Sequence, residues 1–88
     1  MKLKYNFAIQ KVTDFWAAVP VGRDARLYNG VISLNETARD MMEFLREDIS
    51  EDELVQKMMA EYPVDEATLR QDVTDFLNKL REANVLLP

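Results

Sequence analysis

The chain contains neither cysteine nor histidine. The first absence excludes disulfides and thiolate nucleophiles, and the second removes the usual general base near neutral pH. Together they leave no Cys/His ligand set for zinc, and no metal site is expected. Ser33 and Ser50 have no histidine to activate them. Glycine is scarce as well: Gly22 and Gly30 are the only two, too few for a phosphate-binding loop. A catalytic role and a cofactor are therefore not expected. No apolar run approaches the roughly 18 residues of a membrane span, and the opening MKLKYNFAIQ lacks the apolar stretch of a signal peptide. A cytoplasmic protein without membrane contact is the expectation.

Positive charge is also in short supply. Eleven Lys and Arg face sixteen Asp and Glu, giving a net charge of −5. That field repels a phosphate backbone, and the one basic cluster is Lys2 with Lys4 at the N-terminus. Nucleic acid is an unfavourable partner. What the chain does have is 48% apolar and 31% charged residues over 88 positions, a globular composition that fits a single domain spanning residues 1–88.

Residues 5–12 (YNFAIQKV) alternate as a strand, with Phe7, Ile9 and Lys11 on one face and Ala8, Gln10 and Val12 on the other. Thr13-Asp14 supply a turn, and residues 15–21 (FWAAVPV) pair back as a hairpin with Pro20 near the strand end. After a break at Gly22-Arg23-Asp24, Asn29-Gly30 can provide positive φ ahead of a short third strand, Val31 to Leu34.

From Asn35 the period becomes helical. Asn35 is an N-cap before a stripe of Ala38, Met41, Met42 and Leu45. Ser50-Glu-Asp-Glu53 is a capping box opening a second helix, which ends at Tyr62-Pro63. Asp65 caps a third helix with Leu69, Val73, Phe76, Leu77 and Leu80 on one side, and Asn84 stops it. The predicted class is α+β: a three-stranded antiparallel sheet followed by three helices that cover one face.

The carboxylate clusters Glu47/Asp48, Glu51/Asp52/Glu53, Asp65/Glu66 and Asp72/Asp75 fall in helix first turns or on polar faces, where capping and solvation account for them. Of the pairs Met41-Met42 and Met58-Met59, one member each is expected in the core and its neighbour at the boundary. Trp16 reads as a sheet-packing residue. The remaining feature is an edge. Strand Val31 to Leu34 carries no charge to discourage pairing, so an extended peptide can add there as a fourth strand.

The run Asn29-Gly-Val-Ile-Ser-Leu-Asn-Glu-Thr-Ala38, then Ser50-Glu-Asp-Glu-Leu-Val55, Tyr62 before an acidic turn, and Asp72-Val73 with Phe76-Leu77 and Leu80 resemble the PqqD family and the wider set of precursor-peptide (RiPP) recognition elements. The resemblance covers about Phe7 to Leu87. It implies a winged-helix-like fold and a non-catalytic peptide chaperone. Such a protein binds the leader segment of a ribosomally synthesised precursor peptide as an added strand and presents it to a modifying enzyme, often a radical S-adenosylmethionine (radical SAM) enzyme. Carried over by position, Val31, Ile32, Ser33 and Leu34 would pair with the leader. Leu69, Val73 and Leu77 would face it from the last helix, flanked by Arg70 and Arg81. Two positions depart from the family: Met41-Met42 stand where Trp or Ile is frequent, and Asn84 stands for Gly. The rival readings are a winged-helix nucleic-acid-binding domain, which the acidic charge disfavours, and a self-associating structural domain.

Overall fold

The structure is a computed structural model describing residues 1–88. Two hydrophobic side chains at the ends of the chain, Leu3 and Leu86, cannot be covered locally and are covered by each other. They pair in a two-stranded antiparallel ribbon of β1 (Lys2–Leu3) and β5 (Leu86–Leu87). Further backbone bonds tie this ribbon to the helices. The Leu3 N–H donates to the Leu45 carbonyl at 2.8 Å, and the Lys4 N–H donates to that of Val85 at 2.8 Å.

The main sheet has the order β2 (Phe7–Val12), β3 (Phe15–Pro20), β4 (Ile32–Leu34), all antiparallel. Its registers place Phe7, Ile9 and Lys11 opposite Pro20, Ala18 and Trp16, and the last two opposite Ile32 and Leu34. These residues share one face because side chains alternate along a strand, and the helices pack on that face. The predicted face assignment of the first strand holds. Lys11 and Arg39 approach the Trp16 ring at 5.9 and 4.7 Å from its centroid, so the indole is packed and capped by cations.

The β2–β3 hairpin turns at Thr13 with φ 53°, a left-handed conformation that a β-branched residue adopts at a cost. Thr13→Asn is expected to raise stability by about 0.5–1 kcal/mol, since asparagine tolerates this region. Urea denaturation checks it, with the midpoint rising at unchanged slope.

Between β3 and β4 the chain makes a 3₁₀ helix, Gly22–Arg26, where sequence alone suggested only a break. The Asp24 carboxylate accepts the Asn6 N–H at 2.7 Å, anchoring that turn to β2's start. Tyr28 then stacks on Tyr5 at 5.8 Å and meets Phe7 edge-on at 5.9 Å. Asn29 and Gly30 do not have positive φ, contrary to expectation. A Cβ on Gly30 would lie 3.2 Å from the Tyr28 hydroxyl oxygen, so that ring would have to give by a few tenths of an ångström to admit one.

Three helices follow: α1 (Glu36–Phe44), α2 (Glu51–Glu61) and α3 (Glu66–Glu82). Every predicted cap forms. Asn35 accepts the Ala38 N–H, Ser50 and Glu53 complete a capping box, and Asp65 accepts the Thr68 N–H. Asn84 takes φ 59° just past α3, the left-handed stop expected of it. Met58 is buried and Met59 half exposed, as predicted, but Met41 and Met42 are both buried. One core joins Phe7, Ala18 and Leu34 of the sheet to Met42, Leu45, Leu54, Met58, Val73, Leu77 and Leu80 of the helices. No helix is long and apolar enough to cross a membrane.

Candidate functional site

The order β2-β3-β4 leaves one side of β4 without a strand neighbour. None of the backbone bonds outside the regular elements involves residues 29–34, so no loop takes that place. The C-terminal half of α3 runs alongside. Tyr28, Val31, Ile32 and Ser33 on one side and Lys79, Leu80 and Ala83 on the other enclose a groove of about 320 Å³, with five of these seven residues apolar. Val31 at its mouth is 62% exposed. A free strand edge opening onto an apolar groove provides backbone donors and acceptors together with a dry wall for side chains.

Two other hollows are polar. The wider, about 490 Å³ between α1 and α2, contains Glu43, Asp48, Glu53 and Lys57. Three of its four acids already have partners: Glu43 receives Arg46 at 2.9 Å, Asp48 receives the N-terminal ammonium at 2.6 Å, and Glu53 receives the Ser50 N–H at 3.2 Å, leaving Glu47 to solvent. The ammonium holds the Asp48 carboxyl below its ordinary value. Another, near Lys2, Lys4 and Arg46, lies by the β1–β5 ribbon and away from β4.

The expected site residues divide sharply. Val31, Ile32 and Ser33 line the groove. Ile32 does so while its side chain is nearly all in the core, at 8% exposure. Leu34 does not reach the groove; it is buried opposite Trp16. Leu69, Val73 and Leu77 are also corrected: they are fully or almost fully buried in the core and support the helix from beneath. Arg70 points to α2, bonding Asp52 at 2.6 Å and Glu66 at 3.3 Å, and both carboxylates hold its pKa above the ordinary value. Arg81 reaches Asn78 at 3.1 Å and contacts the Met1 sulfur, beside the N-terminal ribbon.

Helix geometry explains the division. At 100° per residue, Arg70 and Arg81 lie about 80–100° to one side of Leu80, while Ala83, Asp72 and Lys79 lie about 60–100° to the other. The groove takes the second flank. Sequence reasoning missed Tyr28, Lys79, Leu80 and Ala83 as lining residues; the usable signal was the apolar series Phe76, Leu80, Ala83 bordering the core stripe.

A second polar group, away from the groove, joins α1 to α2. The Tyr62 hydroxyl donates to the Asp40 carboxylate, which also receives Arg39 at 2.8 Å. Burial and then this bond push Tyr62 up to about 12. Burial alone would raise Asp40, but the bonds from Tyr62 and Arg39 outweigh it and hold the carboxyl below its ordinary value. Because the folded Tyr62 value is raised, its contribution is complete below the unfolded value of about 10 and disappears as pH rises through about 12. Tyr62→Phe should therefore cost about 1–2 kcal/mol at neutral pH and flatten the fall in stability between those values, as read by urea titrations at stepped pH.

Comparison with known proteins bears on the whole fold. No curated protein matches the sequence. The chain is similar in structure to a solved chain described as TbiB1 in complex with the TbiA(beta) leader peptide, with a TM-score of 0.72 and 23% identity over 98% of this chain and 94% of that one. The likeness establishes the α+β fold. The family model for coenzyme PQQ synthesis protein D matches residues 19–86, from within β3 to the first residue of β5. With β4, its three helices and most of its length matched, the chain belongs to the PqqD family.

Proposed function

We propose that this protein binds the leader segment of a ribosomally synthesised precursor peptide as a strand added to β4. It then presents that peptide to a separate modifying enzyme and has no catalytic part itself. The observation that carries the reading is the unpaired edge of β4 opening on the apolar groove against α3. The structural relative whose description includes a bound leader peptide supports it. In this reading the backbone of Val31, Ile32 and Ser33 supplies the ladder, while Tyr28, Leu80 and Ala83 receive apolar side chains of the leader. Leu69, Val73 and Leu77 contribute by fixing α3 in place. The compartment is the cytoplasm, where the precursor is made.

Capture by the tagged protein from its native lysate, followed by identification and synthesis of the bound peptide, provides the ligand. Titration into ¹⁵N-labelled protein should then shift amides of residues 28–34 and 76–83 and leave those of α2 unmoved. A captured peptide that shifts a different surface defeats the strand-addition mechanism, and capture of a folded protein without any precursor peptide defeats the function.

A further inference from the structure

We propose that the groove has an electrostatic direction and selects an extended apolar segment carrying a basic residue on its N-terminal side and an acidic residue on its C-terminal side. The inference rests on strand addition at β4 and deepens it by naming the ligand's chemistry and orientation. The groove has a neighbour on the same helix. Farther along α3, Asn35, Thr37 and Met41 on one side and Asp72, Asp75 and Phe76 on the other line a second hollow of about 200 Å³. The two hollows share α3 as one wall, which runs unbroken from Asp72 past Lys79, while on the other side β4 leads through Asn35 into α1.

Their charges are opposite. Lys79 lies in the apolar end, and no ion pair of the protein uses it. Asp72 lies at the far end, equally without an ion pair, and Asp75 beside it receives only the neutral Gln71 amide at 2.8 Å. Lys79 is exposed and is the one cation bordering this groove, so it is the group there that an anionic side chain can meet. From Asp72 to Lys79 the helix rises about 10.5 Å, so about three strand residues separate the two charges.

Direction follows from the sheet. Every pairing in it is antiparallel, the more favourable ladder per residue. A strand antiparallel to β4 enters at Asn35 and leaves at Val31. Its N-terminal side therefore meets Asp72 and Asp75, and its C-terminal side meets Lys79.

Two blocked synthetic peptides of identical composition test this. Each has a central Val-Tyr-Val; one has two arginines before it and two glutamates after it, and the other has these ends exchanged. At 20 mM salt the first should bind about tenfold more tightly, and 1 M salt should close the gap. The double variant Asp72→Lys, Lys79→Glu should reverse the preference. Equal affinities with amide shifts confined to β4 and α3 overturn the polarity and leave strand addition standing. A preference for the exchanged peptide overturns the direction. Absence of shifts at residues 31–34 with either peptide overturns strand addition and this inference with it.

Discussion

N-methylation of the captured leader peptide at alternate residues of its bound segment should lower affinity by about 100-fold, while methylation at the intervening residues should change it less than about threefold. A strand added at a sheet edge turns every second N–H toward its neighbour and the others toward solvent. Each inward methyl removes one donor from the ladder with β4. Two lost bonds at about 1–1.5 kcal/mol each correspond to that 100-fold. Calorimetric titration of the two methylated series measures it. Loss at every position, or at none, would show that backbone pairing does not hold the ligand. Methylating the ligand is a sharper probe than placing proline in the protein. Ile32 is buried in the core and paired with Ala18, so Ile32→Pro removes packing as well as a ladder donor.

That distinction arises from what could and could not be read in the residues. Helix starts were legible because each is a local event: Asn35, Ser50 and Asp65 accept the N–H three residues on, whatever the rest of the chain does. The strand faces were legible for the same reason, through alternation. The β1–β5 ribbon was not, because two-residue strands carry no period, and Leu3 and Leu86 lie at opposite ends of the sequence. Gly30 was read as a conformational glycine, although its φ is not positive and what lies close to it is the Tyr28 ring, a contact visible only in three dimensions.

Of the candidate groove, one wall only was legible. An uncharged four-residue strand followed by a cap marks Val31 to Ser33 as an edge. For α3 the stripe was clear, but a stripe has two flanks, and periodicity alone does not say which one the sheet leaves open. Arg70 and Arg81 attracted the assignment as the obvious polar borders. They face α2 and the N-terminal ribbon instead, where Asp52 and Met1 await them. The opposite border, Asp72, Lys79 and Ala83, looks like ordinary solvent-facing helix until β4 is set beside it.

Leu77→Ala separates the two kinds of residue on α3. Leu77 has no exposed surface and sits within the core, so its truncation removes buried methyl groups and leaves a cavity, at a cost of about 2–5 kcal/mol. A chain of 88 residues has about 4–13 kcal/mol in total, so the variant should unfold at a much lower urea concentration. Affinity at low temperature, where the folded form still dominates, should stay within about threefold of the parent, because Leu77 supports the groove without lining it. Near the unfolding midpoint the apparent dissociation constant should double, following the folded fraction. Ala83→Asp should do the reverse: Ala83 is partly exposed on the groove wall, so stability should shift by less than about 1 kcal/mol. Affinity should fall at least about tenfold, because a buried charge would face the apolar side chains of the leader. If Leu77→Ala abolished binding while still folded, the core position of this residue would not describe its role, and the flank assignment of α3 would have to be reversed.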